Sequence, residues 1–277
     1  MNHILVTGAS GTIGRHLVKR LRELGADFDS MSSRPGQGVQ GDFTDLASLK
    51  RAFAGVDTLF LLLPLVPHKL QLVDNALAAA RATGVKHIVR SSGAGADADS
   101  QVSVARLQGT IDAKIADSGM AHTFLRPSGF MQNWVTFLAA QVKAGAVHAP
   151  HGDGAQSVID ARDIADAAAV VLSNPLAHAG WAYTLTGPQA LTDEQMVAEI
   201  SQAIGREVRY VDVPEAAAQQ AMQGMGMPEV MVDWLMSLNH VVKHGWAARI
   251  TDDVQQLTGH APRRFADFVR ENADVWR

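Results

Sequence analysis

The sequence predicts a doubly wound α/β fold, a parallel sheet with helices on both faces. Three observations carry that prediction. Short apolar runs alternate with amphipathic helical segments through the first two-thirds of the 277 residues. One run, Leu59–Leu63, is unbroken, which suits a parallel strand covered on both faces. The first run, Ile4–Val6, stops at a glycine loop that leads straight into a helix.

The elements follow in order. Residues 7–14 read Thr-Gly-Ala-Ser-Gly-Thr-Ile-Gly. A strand, a Gly-rich turn and a helix N-terminus together form the geometry that holds a pyrophosphate. Gly8 permits the sharp turn, Gly11 lets the backbone approach a phosphate, and Gly14 lets the helix pack closely. Ser10, Thr12 and Ile13 complete the cradle. The helix over 13–24 carries Ile13, Leu17, Val18, Leu21 and Leu24 on one face, with Arg15, Lys19, Arg22 and Glu23 outside it. Gly25 supplies the stop. Strands are expected at 27–32, 39–43, 57–63, 85–90, 122–126 and 181–186, and helices at 46–53, 70–82, 107–118 and 160–172. Thr44 and Asp45 can cap the helix that follows them.

After Gly187 helical patterns dominate, at 193–204, 215–223, 228–238, 252–257 and 265–272. No repeat, low-complexity tract or clean linker divides the chain. The expected division is a Rossmann dinucleotide-binding domain over 1–129 and 155–187, with a smaller, mostly helical substrate-covering region over 130–154 and 188–277. That region is expected to fold over the sheet's carboxyl edge, where ligands of open α/β sheets sit.

Composition narrows the function classes. With 47% hydrophobic and 19% charged residues the chain can bury a large core. A net charge of −4 argues against a nucleic-acid partner held on a broad basic face. No run of 18 apolar residues suggests a membrane span, and a strand at the start leaves no room for a signal peptide. The absence of cysteine removes disulfides, thiolate metal sites and thiol nucleophiles. A cytoplasmic protein is the simplest expectation. His148 with His151, and His240 with His244, have spacings a metal can use, but neither pair has an evident third ligand, so no metal is expected.

The residues beyond Gly14 bear on which dinucleotide is held. Ser33 and Arg34 follow the second strand, about 20 residues on, where a 2′-phosphate prefers a guanidinium and a ribose hydroxyl prefers an acid. NADPH is therefore expected over NADH. The alternative leaves Arg34 in solvent and turns Asp29 toward the ribose. Asp42 and Phe43 end the next strand and could read the adenine, or serve as a helix-start carboxylate and a core ring. Leu62, Leu63 and Pro64, where the buried run ends, are assigned to the cofactor as well.

The glycine spacing, Gly-x-x-Gly-x-x-Gly, resembles that of short-chain dehydrogenases and reductases. Further segments stand in family order: residues 41–45 (Gly-Asp-Phe-Thr-Asp), 84–89 (Gly-Val-Lys-His-Ile-Val), 123–127 (Thr-Phe-Leu-Arg-Pro), 130–133 (Phe-Met-Gln-Asn), 161–165 (Ala-Arg-Asp-Ile-Ala) and 251–253 (Thr-Asp-Asp). Together they resemble the NmrA-like, atypical short-chain reductase family over nearly the whole chain. The resemblance implies a monomeric or dimeric NAD(P)H-dependent reductase of electron-poor organic compounds. It also implies an alternative, since some members bind NADP without known catalysis and act as redox sensors that regulate a protein partner.

Most short-chain dehydrogenases use a tyrosine acid with a lysine four residues on. This chain has two tyrosines; Tyr183 is followed at that spacing by Gly187 and Tyr210 by Pro214. Gln108 stands where related reductases carry a titratable residue, and Asp112 lies one turn later. Without that acid the natural task is hydride delivery to a polarised, flat aromatic acceptor such as a quinone, azo, imine or triphenylmethane group. Ser91 and Ser92 are expected beside the nicotinamide, and Pro127 and Phe130 over it. Ser92, Gln108 and Asn133 are the candidate catalytic residues. Phe130 and Trp134 are expected at the substrate, or as a core pair at helical spacing. Met222, Met225, Met227, Met231 and Met236 crowd around Trp234, as an adaptable apolar lid in which Met225, Met227 and Trp234 meet substrate, or as core filling.

Overall fold

The computed structural model describes residues 2–34 and 36–277. In chain order the elements are β1 (Ile4–Val6), α1 (Gly14–Glu23), β2 (Phe28–Ser32), β3 (Val39–Gln40), α2 (Leu46–Ala52), β4 (Thr58–Leu61), α3 (Lys69–Thr83), β5 (His87–Ser91), α4 (Ser103–Ala116) and β6 (Ala121–Pro127). Then come α5 (Ala139–Ala144), β7 (Ala146–Ala149), β8 (Ala155–Gln156), α6 (Ala161–Ser173), β9 (Ala182–Leu185), β10 (Leu191–Thr192), α7 (Asp193–Ile204) and β11 (Arg209–Asp212). The chain closes with α8 (Glu215–Gly224), α9 (Glu229–Lys243), α10 (Asp253–Thr258) and α11 (Phe265–Asn272).

The main sheet has seven strands in the order β3-β2-β1-β4-β5-β6-β9. The pairs β1–β2, β1–β4, β2–β3, β4–β5 and β5–β6 are parallel. This is the doubly wound Rossmann arrangement, with strand order reversing between β1 and β4. Every residue of β1, β4 and β5 is buried, as a sheet covered on both faces requires. Polar groups inside it are paired. Thr7 Oγ1 donates to the Phe60 carbonyl at 2.9 Å and accepts from the Leu62 amide at 2.9 Å, tying the end of β1 to the end of β4. His87 is buried and uncharged: burial, with the charges of His122 and His178, brings its pKa down to about 4. Its Nε2 lies 2.9 Å from Thr123 Oγ1, which itself donates to the His178 carbonyl.

The chain folds into two compact units. The first holds the residues up to Ser100, Ala105–Arg126 and Ile164–Thr184; the second holds Gln101–Val104, Pro127–Asp163 and Leu185–Arg277. Residues 101–104, 127–129, 155–163 and 185–187, expected with the dinucleotide-binding part, group with the second unit. That unit is also less purely helical than the sequence predicts. β7 and β11 pair in parallel and β8 and β10 antiparallel, in strands of two to four residues too short to show a period. Its core is aromatic: Trp134 meets Phe265 edge-on at 5.8 Å, and Trp276 Nε1 donates to the Trp134 carbonyl at 2.9 Å. Among the described residues no helix is long and apolar enough to cross a membrane.

Boundaries shift where caps decide them. Asp45, not Thr44, caps α2, its Oδ1 accepting from the amides of Ala47 and Ser48. β3 stops at Gln40, and Gly41 beyond it packs against Met31; a Cβ there would lie 2.5 Å from the Met31 sulfur. Leu24, expected in the buried stripe of α1, is the C-cap and stands 48% exposed.

Candidate active site

The loop between β1 and α1 is built for close approach. Gly8 has φ +66°, a conformation that L side chains resist. A Cβ on Gly14 would lie 2.1 Å from the Gly8 carbonyl oxygen, so the first turn of α1 presses onto the loop itself. A Cβ on Gly11 would lie 3.2 Å from that same oxygen. Among the described residues nothing accepts from the amides of Thr12, Ile13 and Gly14, the orphan donors of a helix start. A cradle that a side chain would fill, rimmed by free amides at the positive end of a helix, fits a dinucleotide pyrophosphate. Ser10 and Gly11 are exposed on the loop, and Ile13 is buried beneath it.

The groups expected at the adenosine end lie at the end of β2 and the start of α2. Ser33 and Arg34 are exposed just past β2, and the Arg34 amide donates to Ser32 Oγ at 3.0 Å. Asp29 lies nearer the amino end of that strand, with the His3 ring nitrogen 3.3 Å from its carboxylate. Asp42 takes a local role: its carboxylate accepts from the amide and hydroxyl of Thr44, each at 2.8 Å, which holds it below the usual carboxylate range. Phe43 is half-buried, its carbonyl accepting from Asn75. Leu63 is buried, Leu62 half-buried and Pro64 exposed past the end of β4.

At the carboxyl end of β5 the structure joins residues of the strand and of α4 into one polar network. Asp112 is its centre, buried at 4% exposure. One carboxylate oxygen accepts from Arg90 Nη1; the other accepts from Ser92 Oγ at 3.0 Å and from Arg126 Nε at 3.1 Å and Nη2 at 3.0 Å. Arg90 is itself buried and also donates to Ser92 Oγ at 2.8 Å, to the Gln108 carbonyl at 3.0 Å and to Gln108 Oε1. Burial disfavours the Arg90 charge, and the carboxylate of Asp112 opposes that effect. Arg126 is partly exposed and also lies over the Phe124 ring at 5.8 Å. Lys69, buried at the start of α3, is brought down to about pKa 8 by burial and by the Arg90 charge.

Sequence reasoning finds Ser92 and Gln108 and misses the two arginines that hold them. The signal is present. Arg90 and Ser92 share one face of a strand, and Gln108 and Asp112 share one face of a helix. A charged residue inside the apolar run of β5 demands a buried partner of opposite sign. Ser91, also buried, ends β5 beside Ser92.

The candidates in the second unit separate into exposed and buried groups. Pro127 is buried, Phe130 half-buried in a bridge to Ile159, and Asn133 half-buried with its carbonyl accepting from the Leu138 amide. Trp134 is 2% exposed and packs within the aromatic core. Trp234 is buried, while Met225 is 79% exposed at the end of α8 and Met227 is half-buried. The methionines thus form no single buried stripe.

Comparison with known proteins identifies relatives in sequence and in fold. The NmrA-like family matches residues 1–261. The chain is 39% identical to an NAD(P)H azoreductase of Xenophilus azovorans, over 98% of each chain. Its fold matches that of the NADPH-dependent quinone oxidoreductase QOR2 of Escherichia coli, solved with NADPH, at a TM-score of 0.87 and 28% identity, covering 97% of this chain and 99% of that one. A triphenylmethane reductase of Citrobacter sp., solved with NADP(H), matches at a TM-score of 0.82 and 26% identity, covering 98% and 99%. A glycine cradle at the switch point, a seven-stranded doubly wound sheet and a match across nearly the full length make this chain a member of the NmrA-like family.

Proposed function

We propose that this protein is an NADPH-dependent reductase that passes hydride to an electron-poor aromatic acceptor without a tyrosine acid. The observation that carries the reading is the cradle of Gly8, Gly11 and Gly14 together with a buried polar network at the neighbouring carboxyl edge. The amides of Thr12, Ile13 and Gly14 hold the pyrophosphate. Bound there, NADPH supplies the hydride. Gln108 stands beside the end of β5 and orients the acceptor against the nicotinamide, with Ser92 closing the Asp112 network behind it, so the rate comes mainly from proximity. The proton that completes the reduction comes from water.

The preference for the 2′-phosphate rests on Arg34 and Ser33, exposed past β2, and on the engagement of Asp29 by His3. A carboxylate held at the amino end of the strand is poorly placed for a ribose at its carboxyl end. The 39% identity to an NAD(P)H azoreductase supports the reaction class.

Two measurements test the proposal. NADPH oxidation is followed by absorbance with a panel of quinones, azo dyes, cyclic imines and triphenylmethane dyes. Turnover of one class or more is expected; tight NADPH binding with no turnover across the panel would replace the enzyme with a redox sensor. Separately, Arg34→Ala should weaken NADPH by about tenfold or more, the value of a charge-assisted hydrogen bond, and leave NADH unchanged. Equal loss for both would remove the cofactor preference.

A further inference from the structure

The hydrogen-bond polarity of the Asp112 network is fixed by chemistry. A guanidinium has five donors and no acceptor, and a carboxylate only accepts. Arg90 Nη2 faces the side-chain amide of Gln108, so the atom it meets must be the oxygen Oε1. That fixes the amide without reference to its assigned orientation. Ser92 Oγ accepts from Arg90 Nη1, so its proton goes to Asp112 Oδ2. The serine hydroxyl is therefore a closed link, with its donor already committed.

Gln108 is the open end. Its amide nitrogen makes no hydrogen bond to any described residue, and it lies near Gly93, the second residue past β5, where a Cβ would be 3.8 Å away. Gly93 has no side chain to cover it. The amide thus presents two N–H groups at the carboxyl edge of the sheet, and the cation on its oxygen polarises them further.

The charge balance points the same way. Two guanidinium groups, Arg90 and Arg126, surround one carboxylate, Asp112, and the Arg90 charge disfavours the ammonium of Lys69. Positive charge in a partly dry site stabilises electron density arriving on an acceptor and repels a cation.

We propose that Gln108 Nε2, held by Arg90, donates a hydrogen bond to the lone pair of the group being reduced, and that the site selects neutral acceptors such as quinone oxygens and azo nitrogens over cationic iminium or triphenylmethane dyes. The proposal rests on the reductase reading above and narrows its acceptor class. For a quinone, hydride adds to one carbonyl oxygen as the ring double bonds shift, the negative charge moves to the opposite oxygen, and one proton from water there completes the hydroquinone while NADPH becomes NADP+. For an azo group, hydride adds to one nitrogen, the N=N π bond breaks, and water protonates the other nitrogen to give the hydrazo product. In each case the acceptor gains two electrons as NADPH loses two. The negative charge builds on the heteroatom that Gln108 faces.

The test compares the native protein with Gln108→Leu and Gln108→Glu, against a neutral quinone, a neutral azo dye and a cationic triphenylmethane dye. Fluorescence titration of NADPH runs alongside. The native protein should favour the neutral acceptors. Both variants should lower kcat on these by about a hundredfold, the value of one oxyanion donor, with NADPH affinity unchanged. Gln108→Leu should lower turnover of the cationic dye far less than that of the neutral acceptors, and Gln108→Glu should raise it by placing a carboxylate at the edge. Native preference for the cationic dye, or equal losses on all three acceptors, would overturn the selection. Loss of NADPH affinity in proportion to kcat would move the donor's partner to the cofactor's carboxamide and overturn the assignment to the acceptor. A native protein inactive on every acceptor would fail the reductase reading itself, a different result from wrong selectivity.

Discussion

Two sets of buried carboxylates do different work in the two units. In the second unit Asp160 and Asp163 are each matched and closed. Asp160 is fully buried and accepts from Arg162, from the Arg162 amide at 2.8 Å and from Gln132 Nε2 at 3.0 Å. Burial pushes its carboxyl up, and the Arg162 bonds more than reverse this, holding it below the usual range. Arg162 also reaches Glu271 at 2.7 Å, so one guanidinium serves two carboxylates and no donor of it is left facing an open edge. Asp163 accepts from both the amide and the guanidinium of Arg263. In the first unit Asp112 faces two arginines, and the donors left over end on an amide with a free face. A closed network fixes a fold. An open, over-positive one at the carboxyl edge of a sheet is arranged for something that arrives.

The comparison predicts unequal costs. Asp112→Asn removes the negative charge that opposes Arg90, which is 1% exposed and has nowhere to turn. Denaturant unfolding should show a loss of about 3–5 kcal/mol, the cost of stranding a buried charge. Asp160→Asn should cost less, about 1–3 kcal/mol, because Arg162 is 30% exposed and keeps Glu271. Equal losses would show that the imbalance around Asp112 has no energetic meaning. Smaller again is Trp134→Phe, at about 1–2 kcal/mol for the lost indole volume. It should leave the KM of every acceptor unchanged, because the ring is enclosed by Phe265, Trp276 and their neighbours. A raised KM would restore Trp134 to the substrate.

Much of this was legible in the chain. The apolar runs of β1 and β4 and the glycine loop locate the sheet and the cradle because buried parallel strands and close backbone contacts leave few residue choices. Helices α7 and α11 fall where the period places them, and the first is sealed by a capping box between Thr192 and Gln195. What stayed hidden is pairing at a distance. β7 and β11 are 60 or so residues apart and too short to show alternation. Gln108 reads as a residue unable to titrate; its use as an oriented donor needs Arg90, 18 residues away on another element. The spacing of Phe130 and Trp134 fits a substrate face and a core pair alike, and the burial of Trp134 shows only in the folded chain.

The weakest effect is a titration. His151 links the β7–β8 turn to α7 and α9: Nδ1 lies 2.5 Å from Asp193 Oδ2 and Nε2 lies 3.0 Å from Asn239 Oδ1. With oxygens on both nitrogens the ring is held as the imidazolium. Burial works against that charge and is the largest single influence, but Asp193, Asn239 and Asp212 together outweigh it and raise the pKa above 6.5. Tyr210 and Gln156 complete the surround: the tyrosine oxygen accepts from the His151 amide, and Gln156 donates to the other oxygen of Asp193. A folded pKa above the unfolded one means the folded chain binds the proton more tightly. The contribution is therefore complete below about pH 6.5 and disappears as pH rises through the folded value. Unfolding free energy measured across that window should decline, and His151→Gln should flatten the decline. Because Asp193 is closed by His151 and Gln156 while the Gln108 amide stays open, this variant should leave acceptor selectivity as it was. A change in selectivity would show that the two networks are one.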